Sequence, residues 1–409
     1  MPAPSITCIF KNSRRFTIKP NFARICKIIQ KIKETVDTSN LSKEELEARF
    51  REEIRHHYDK KYSYHIRRVI LAIAKLGIKH IMLRGIENIK TIPKNVPVII
   101  SATHKSHLDY LLIDCVLLKA IEYYPCTVAG KNLFHGYFKT MLPKVKGICL
   151  DRERIKEENL RKKENIIYLK TFYDYLTEEI FGKSETVLIY PEAGRSYNGK
   201  VGKLAHGIFG MAKRAINEDG KMAILPMGIT YERVTEDEVF PQLMKIKEKE
   251  GMSKRYRAKD LSSFKLHALL QARGRVLFSF GEPIYITMED LRHLDELGEK
   301  VRNAMIKETV LTPVSLVCHS FGKDKSLKLT ELYERMEREK NIAYKNGYKM
   351  IPGVDQNANP GYIWKLAKPH LAMPWRLRNI LKRKGDTISV VKPEIVEYYA
   401  NTVEHMYED

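Results

Sequence analysis

Ser101-Ala-Thr-His-Lys-Ser-His-Leu-Asp109 lies between two apolar runs of different kind, and its reading decides the fold. Ahead of it, Val96-Pro-Val-Ile-Ile100 is short, β-branched and bounded by prolines, the pattern of a buried strand. Behind it, Tyr110-Leu-Leu-Ile-Asp-Cys-Val-Leu-Leu118 continues as a helix. His104 therefore falls on a strand-to-helix turn, with Asp109 five residues further on. A regular helix would rotate such a pair roughly 140° apart, whereas a turn lets the imidazole fold back onto the carboxylate. The carboxylate then takes one ring N–H, fixes the tautomer and leaves the other nitrogen to remove a proton from a substrate. Ser106 and Asp109 also fit a capping box, so helix capping is the alternative role for Asp109. His107, two residues before Asp109, is the competing base.

Outward from this turn, strand and helix patterns alternate. Strands are expected at Cys126–Gly130, Gly147–Asp151, Thr186–Tyr190, Ala223–Thr230 and Arg275–Phe280, with helices at Ile155–Ile180 and Leu204–Ile216. This alternation predicts an α/β fold, a largely parallel sheet flanked by helices, with functional loops at the strands' carboxyl ends. Residues 1–84 read as helical, with apolar spacing over Phe22–Val36 and a capping box at Ser42–Glu45. An amphipathic helix is expected over 64–83, its apolar face made by Ile66, Val69, Ile70, Ile73, Leu76 and Ile81. Arg67, Arg68, Lys75 and Lys79 line its margins, so it suits either a membrane interface or packing against the next domain. Residues 301–409 read as helical again, with a Pro/Gly/Asn-rich loop over 352–361 and a basic patch at Arg376–Lys384. The expected division is 1–84, 85–300 for the α/β domain, and 301–409.

Composition limits the partners. Lys and Arg outnumber Asp and Glu by 72 to 50 across 409 residues, a net charge of +22 that calls for an anionic surface or phosphate-bearing substrates. Nucleic acid is not expected, because zinc-finger spacing, a basic region with heptads and an aromatic RNA-binding signature are all missing. Six scattered cysteines suit buried thiols in a reducing compartment better than a metal site or disulfides. No N-terminal run resembles a secretory signal, and no stretch approaches the ~18 apolar residues of a spanning helix.

Chemistry concentrates in four segments after strands: His104–Asp109, Leu150-Asp-Arg-Glu-Arg154, Tyr190-Pro-Glu-Ala-Gly-Arg-Ser196 and Pro226–Val234. Arginine's planar fork grips phosphate, and Gly194 lets the backbone turn tightly beside a ligand. A serine-nucleophile elbow, Gly-x-Ser-x-Gly, is not present, since Gly194-Arg-Ser-Tyr-Asn198 fails at its last position. His104 is therefore expected to activate a hydroxyl carried by the substrate, as in direct acyl transfer to an alcohol.

In kind and order, His104-x-x-x-x-Asp109, Asp151-Arg152, Pro191-Glu-Ala-Gly-Arg-Ser196 and Ile224-Leu-Pro226 resemble the motifs of the glycerolipid acyltransferases. Gly194-Arg-Ser-Tyr-Asn-Gly-Lys200, Tyr231-Glu-Arg-Val234 and Phe280-Gly-Glu-Pro-Ile284 are most similar to the membrane-associated glycerol-3-phosphate acyltransferases. The resemblance is specific over about residues 85–290. It implies that His104 is the base and Asp109 its partner. It further implies that Arg152, Glu192, Gly194, Arg195 and Ser196 hold the glycerol phosphate, and that Pro226 helps shape the acyl-donor site. The implied reaction is acyl transfer from acyl-CoA or acyl carrier protein to the sn-1 hydroxyl of glycerol-3-phosphate. Neither metal nor cofactor beyond that co-substrate is implied, and the net charge with the helix over 64–83 predicts peripheral attachment to the anionic cytoplasmic face of a membrane. Where glycerol-3-phosphate enzymes usually carry two adjacent arginines, this chain has Asp151 then Arg152, which keeps lysophosphatidate as an alternative acceptor. A non-catalytic lipid- or nucleic-acid-binding protein is the alternative of another class, although binding alone needs no base with an orienter.

Overall fold

The central strands are apolar on both faces, and the architecture follows from burying both. The computed structural model describes residues 7–8, 41–121, 124–192, 194–205, 207–216, 220–251, 253, 256, 259–260, 274–373 and 378–408. Strands β1 (Thr7–Cys8), β2 (Ile78–Arg84), β3 (Val98–Ala102), β4 (Cys126–Gly130), β5 (Gly147–Leu150), β6 (Val187–Ile189), β7 (Met222–Tyr231), β8 (Gly274–Phe280) and β9 (Ile284–Ile286) form one sheet. Its order is β1-β2-β8-β7-β3-β6-β4-β5, with β9 paired to β7. Strands β7, β3, β6, β4 and β5 run parallel, while β8 is antiparallel to β7 and parallel to β2. The largely parallel α/β sheet expected from the alternation is present.

Side chains alternate across a strand. Ile99 accordingly enters one core with Phe50, Ile148 and Phe172, while Ile100 enters the other with Leu112, Val116 and Leu225. Helices α1 (Lys43–Ile54) and α6 (Lys163–Tyr175) cover the first face, and α4 (Asp109–Ile121) lies on the second. The capping box expected at Ser42–Glu45 starts α1, with both reciprocal hydrogen bonds formed. Cys115, Cys126, Cys149 and Cys318 are buried free thiols.

Two local expectations change. The helix expected over 64–83 is α2, Lys60–Gly77, and residues 78–84 are instead β2. Gly77 is a poor helix former, and Ile78–Arg84 gains a full ladder along β8 that a longer helix would forgo. Residues beyond 300 are not purely helical. Leu381–Lys384, within the basic patch, forms a hairpin with Thr387–Val390 across Gly385-Asp386, and Gly385 has φ +59° as such a turn needs. The part of the patch at 376–377 and the helix expected at Phe22–Val36 lie outside the described residues.

The core crosses the expected divisions at 84/85 and 300/301. Strand β2 belongs to the sheet, the helix Leu294–Lys307 packs on β7, and Val314, Trp364 and Tyr399 share a core with Ile100. The C-terminal part also closes on the loop after Ser196, where Asn401 donates to the Asn198 carbonyl at 2.8 Å. Gly199 has φ +90°, and a Cβ there would stand 2.1 Å from the Tyr398 carbonyl oxygen. Gly199→Ala should therefore cost about 1–3 kcal/mol from backbone strain alone, read as a lower urea midpoint for unfolding.

Candidate active site

Strand β3 continues one residue beyond its end through Thr103. Its N–H bonds the Met227 carbonyl at 3.0 Å, and its hydroxyl accepts from the Ile229 N–H at 2.8 Å. The chain then leaves the sheet at His104, held on both backbone groups. The His104 N–H donates to Glu192 Oε1 at 3.0 Å, and its carbonyl accepts from the Ser196 N–H at 2.9 Å. The imidazole lies against the Tyr190 ring, with centroids 4.4 Å apart.

The turn brings His104 Nδ1 to 2.8 Å from Asp109 Oδ2. Asp109 is fully buried, and its Oδ2 also accepts the N–H groups of Lys105 at 2.7 Å and Ser106 at 2.9 Å. Its Oδ1 accepts from the Tyr231 hydroxyl at 2.7 Å. A carboxylate in this position can only accept, so His104 carries its proton on Nδ1 and presents Nε2 from the other side of the ring. Asp109 is also in the first turn of α4, where the helix dipole favours an anion. Capping and orienting are thus done by one side chain. Ser106 completes the cap, its hydroxyl accepting from the Leu108 N–H at 3.1 Å and donating to Glu236 Oε2 at 2.8 Å.

His107 is engaged through both ring nitrogens. Nε2 donates to the Asp260 carbonyl at 3.1 Å, so Nδ1 must accept from the Tyr110 hydroxyl at 3.2 Å. Burial, with Arg195 nearby, pushes this ring down to about 4, which keeps it neutral near pH 7. It has no nitrogen to spare for a base.

A cavity of about 160 Å³ opens beside His104. Its lining is mixed: Arg152 and Arg195 with Asp151, Glu153 and Asp260 among the charged residues, Gly194, and the apolar Ile66, Ile70, Leu111, Leu133, Met141 and Leu142. Arg152 follows β5 and lines the cavity, as does its neighbour Asp151, which is paired with Lys131 at 2.9 Å and Arg154 at 3.5 Å. Arg195 is almost wholly buried between Glu236 at 2.9 Å and Asp260 at 2.5 Å, so its charge is already opposed twice. Glu192 spans from the His104 N–H to the Gly202 N–H at 2.9 Å, and the Ser196 hydroxyl donates to the Lys200 carbonyl at 2.6 Å. Both shape the loop. Gly194 has nothing within 4 Å of where a Cβ would stand, which leaves room for a ligand. Pro226 sits inside β7 opposite Ser101, with its carbonyl bonded to the Gly281 N–H at 2.8 Å, and it is not among the residues lining the cavity.

Sequence reasoning passed over Tyr190, Tyr231, Glu236 and Lys105 as individuals. The two tyrosines did carry a signal, since each stands at or just after the end of a strand. Lys105 is buried, its ammonium donating to the Gly199 carbonyl at 2.8 Å, and burial pushes its pKa down.

Deeper in the cavity wall, Asp114 is held above the usual carboxylate range, to about 7, by burial, with Arg67 partly offsetting the effect. Arg67 lies over the Tyr124 ring, 3.2 Å from its centroid. A buried acid with a raised pKa binds its proton more tightly folded than unfolded. Stability from this group is therefore full below the ordinary 3.8 and is lost as pH rises to about 7. Asp114→Asn removes that loss. The variant's urea midpoint should gain on the parent's across this window and keep a constant difference above it.

A buried carboxylate thus orients a histidine at the strand ends, beside a cavity with charged and apolar lining. The sequence profile of the Acyltransferase family matches residues 80–230, the stretch that holds this turn. The chain is similar to a glycerol-3-phosphate acyltransferase of Pseudomonas fluorescens (strain SBW25), 30% identical over 241 residues, covering 57% of this chain and 27% of that protein. A second, from Pseudomonas syringae pv. tomato (strain ATCC BAA-871 / DC3000), is 25% identical over 361 residues, covering 81% and 40%. The chain spans less than half the length of these relatives. Among solved structures, the 1-acyl-sn-glycerophosphate acyltransferase of Thermotoga maritima aligns at 16% identity over 64% of this chain and 80% of that one, with a TM-score of 0.32, too low to carry weight.

Proposed function

We propose that this chain transfers a fatty acyl group from an acyl thioester, acyl-CoA or an acylated carrier protein, to the sn-1 hydroxyl of glycerol-3-phosphate. The observation that carries the reading is the 2.8 Å bond between His104 Nδ1 and the buried Asp109, at a cavity lined by Arg152 and by apolar side chains. The names of the relatives support the acceptor.

In this reading the substrate hydroxyl oxygen attacks the thioester carbonyl carbon as His104 Nε2 takes its proton. Asp109 stabilises the imidazolium that forms. Collapse of the tetrahedral intermediate breaks the C–S bond, and His104 returns the proton to the departing thiolate. The ester forms without any cofactor beyond the donor. Arg152 takes the phosphate, and Gly194 allows it to approach. Glu192, Arg195 and Ser196 act on the acceptor through the wall they build. Pro226 contributes to the donor side only through the sheet it belongs to. The apolar side chains of the lining take the acyl chain.

The chain would work at the cytoplasmic face of a membrane, attached peripherally. Val69, Ile73 and Leu76 of α2 are exposed, as are Tyr137 and Phe138 of α5 (Tyr137–Lys144). Among the described residues no helix is long and apolar enough to cross a membrane. Nucleic acid is not a proposed partner.

The test is a labelled acyl donor offered with glycerol-3-phosphate or lysophosphatidate in turn. Labelled lysophosphatidate is the expected product. Phosphatidate formed only from lysophosphatidate would transfer the reading to that acceptor, and no product from either would favour a binding protein. His104→Ala should lower turnover about 10²- to 10⁴-fold while the protein stays folded. Near-parental activity in that variant would remove His104 from the mechanism.

A further inference from the structure

A second pocket, of about 730 Å³, lies outside the candidate active site, between β2, β8 and the helix Pro360–Leu371. Lys75, Lys79, His80, Arg275, Lys365 and His370 line it. The carboxylate among its described lining residues is Glu232, already bonded to Arg275 at 2.5 Å. The pocket is therefore cationic through Lys75, Lys79 and Lys365.

Topology puts it on the working edge of the sheet. Strand β8 runs against β7, and β7 runs with β3, so the amino ends of β2 and β8 share an edge with the carboxyl end of β3. Helix α2 connects the two sites. At about 100° per residue, Ile66 and Ile70 lie on the margin that lines the active-site cavity. The exposed Ile73, Val69 and Leu76 follow around the helix, and Arg68 and Lys75 come last, on the side of the second pocket. An apolar strip thus separates the reaction cavity from a cationic pocket. A wholly polar acidic partner would leave that strip in water, whereas a phospholipid in a bilayer offers chains to the strip and a phosphate to the pocket.

We propose that this second pocket seats the phosphate headgroup of an anionic membrane phospholipid, distinct from the acceptor bound beside His104, and so sets the angle at which α2 lies on the bilayer. The proposal rests on α2 meeting a membrane, and the two ideas fail differently. The experiment floats the full chain with phosphatidylcholine vesicles, with and without phosphatidylglycerol. It compares the parent with Lys75→Gln/Lys79→Gln/Lys365→Gln and with a control of equal charge loss, Lys323→Gln/Lys325→Gln/Lys328→Gln, at exposed lysines away from the pocket.

A lysine near an anionic surface contributes about 5-fold in binding, so the pocket triple should weaken attachment to phosphatidylglycerol vesicles about 100-fold and leave phosphatidylcholine binding unchanged. The control should change it only a few-fold. Equal loss in both triples would overturn the pocket in favour of diffuse charge. Stripping by phosphate beyond that by chloride at matched ionic strength would also overturn it, in favour of a free-anion site. Val69→Glu/Ile73→Glu reports on α2 separately: it should abolish binding to both vesicle types, and undiminished binding would sink the membrane reading itself.

Discussion

The structure depends on satisfying one buried carboxylate. Asp109 has no contact with solvent, and an isolated ionised carboxylate in that position would cost several kcal/mol after relaxation. Four donors meet it: the His104 ring, two backbone N–H groups of the turn, and the Tyr231 hydroxyl. Three of these come from the five residues before Asp109, so the carboxylate can be satisfied only if the turn folds tightly around it. The fourth comes from the end of β7, which pins the turn to the sheet. The arrangement that makes the buried charge tolerable is also the one that aims His104.

Around this centre the second histidine is made inert by the same economy of donors and acceptors. Glu236 accepts from the His107 backbone N–H, from Arg195 and from Ser106, while Asp260 takes the other side of Arg195 and, through its carbonyl, the His107 ring. Buried polar networks of this kind are stiff when complete. The C-terminal helix completes it from outside: the Tyr399 hydroxyl accepts from the Val234 N–H and donates to Asp237 at 2.6 Å. Residues nearly three hundred positions from His104 in sequence thus hold the loop that holds it. Gly199, against Tyr398, shows how closely the two parts meet.

Helix α2 turns small and polar residues inward, Ser63, Arg67, Ala74 and Gly77, and leaves much of its apolar surface outside. An exposed apolar stripe of this kind marks an interaction surface. It lies between the cavity beside His104 and the cationic pocket.

From sequence alone, the alternation of short β-branched runs with helical runs determined the α/β class. The strand, turn and helix pattern around Ser101–Asp109 determined where His104 and Asp109 would stand, because the apolar period and the cap are local properties. Local pattern could not decide the fate of residues 78–84, whose apolar spacing suits a helix until β8 offers a ladder. Nor could it find the Leu381–Val390 hairpin, whose short strands exist by virtue of their partners. The same limit applies within the site. Arg152 and Arg195 are equivalent cations in sequence, yet only tertiary structure places Glu236 and Asp260 against Arg195, and brings Tyr231 to Asp109 from 122 residues away. Charge pairing is a matter of distance in space, and distance in space is what a single sequence does not carry.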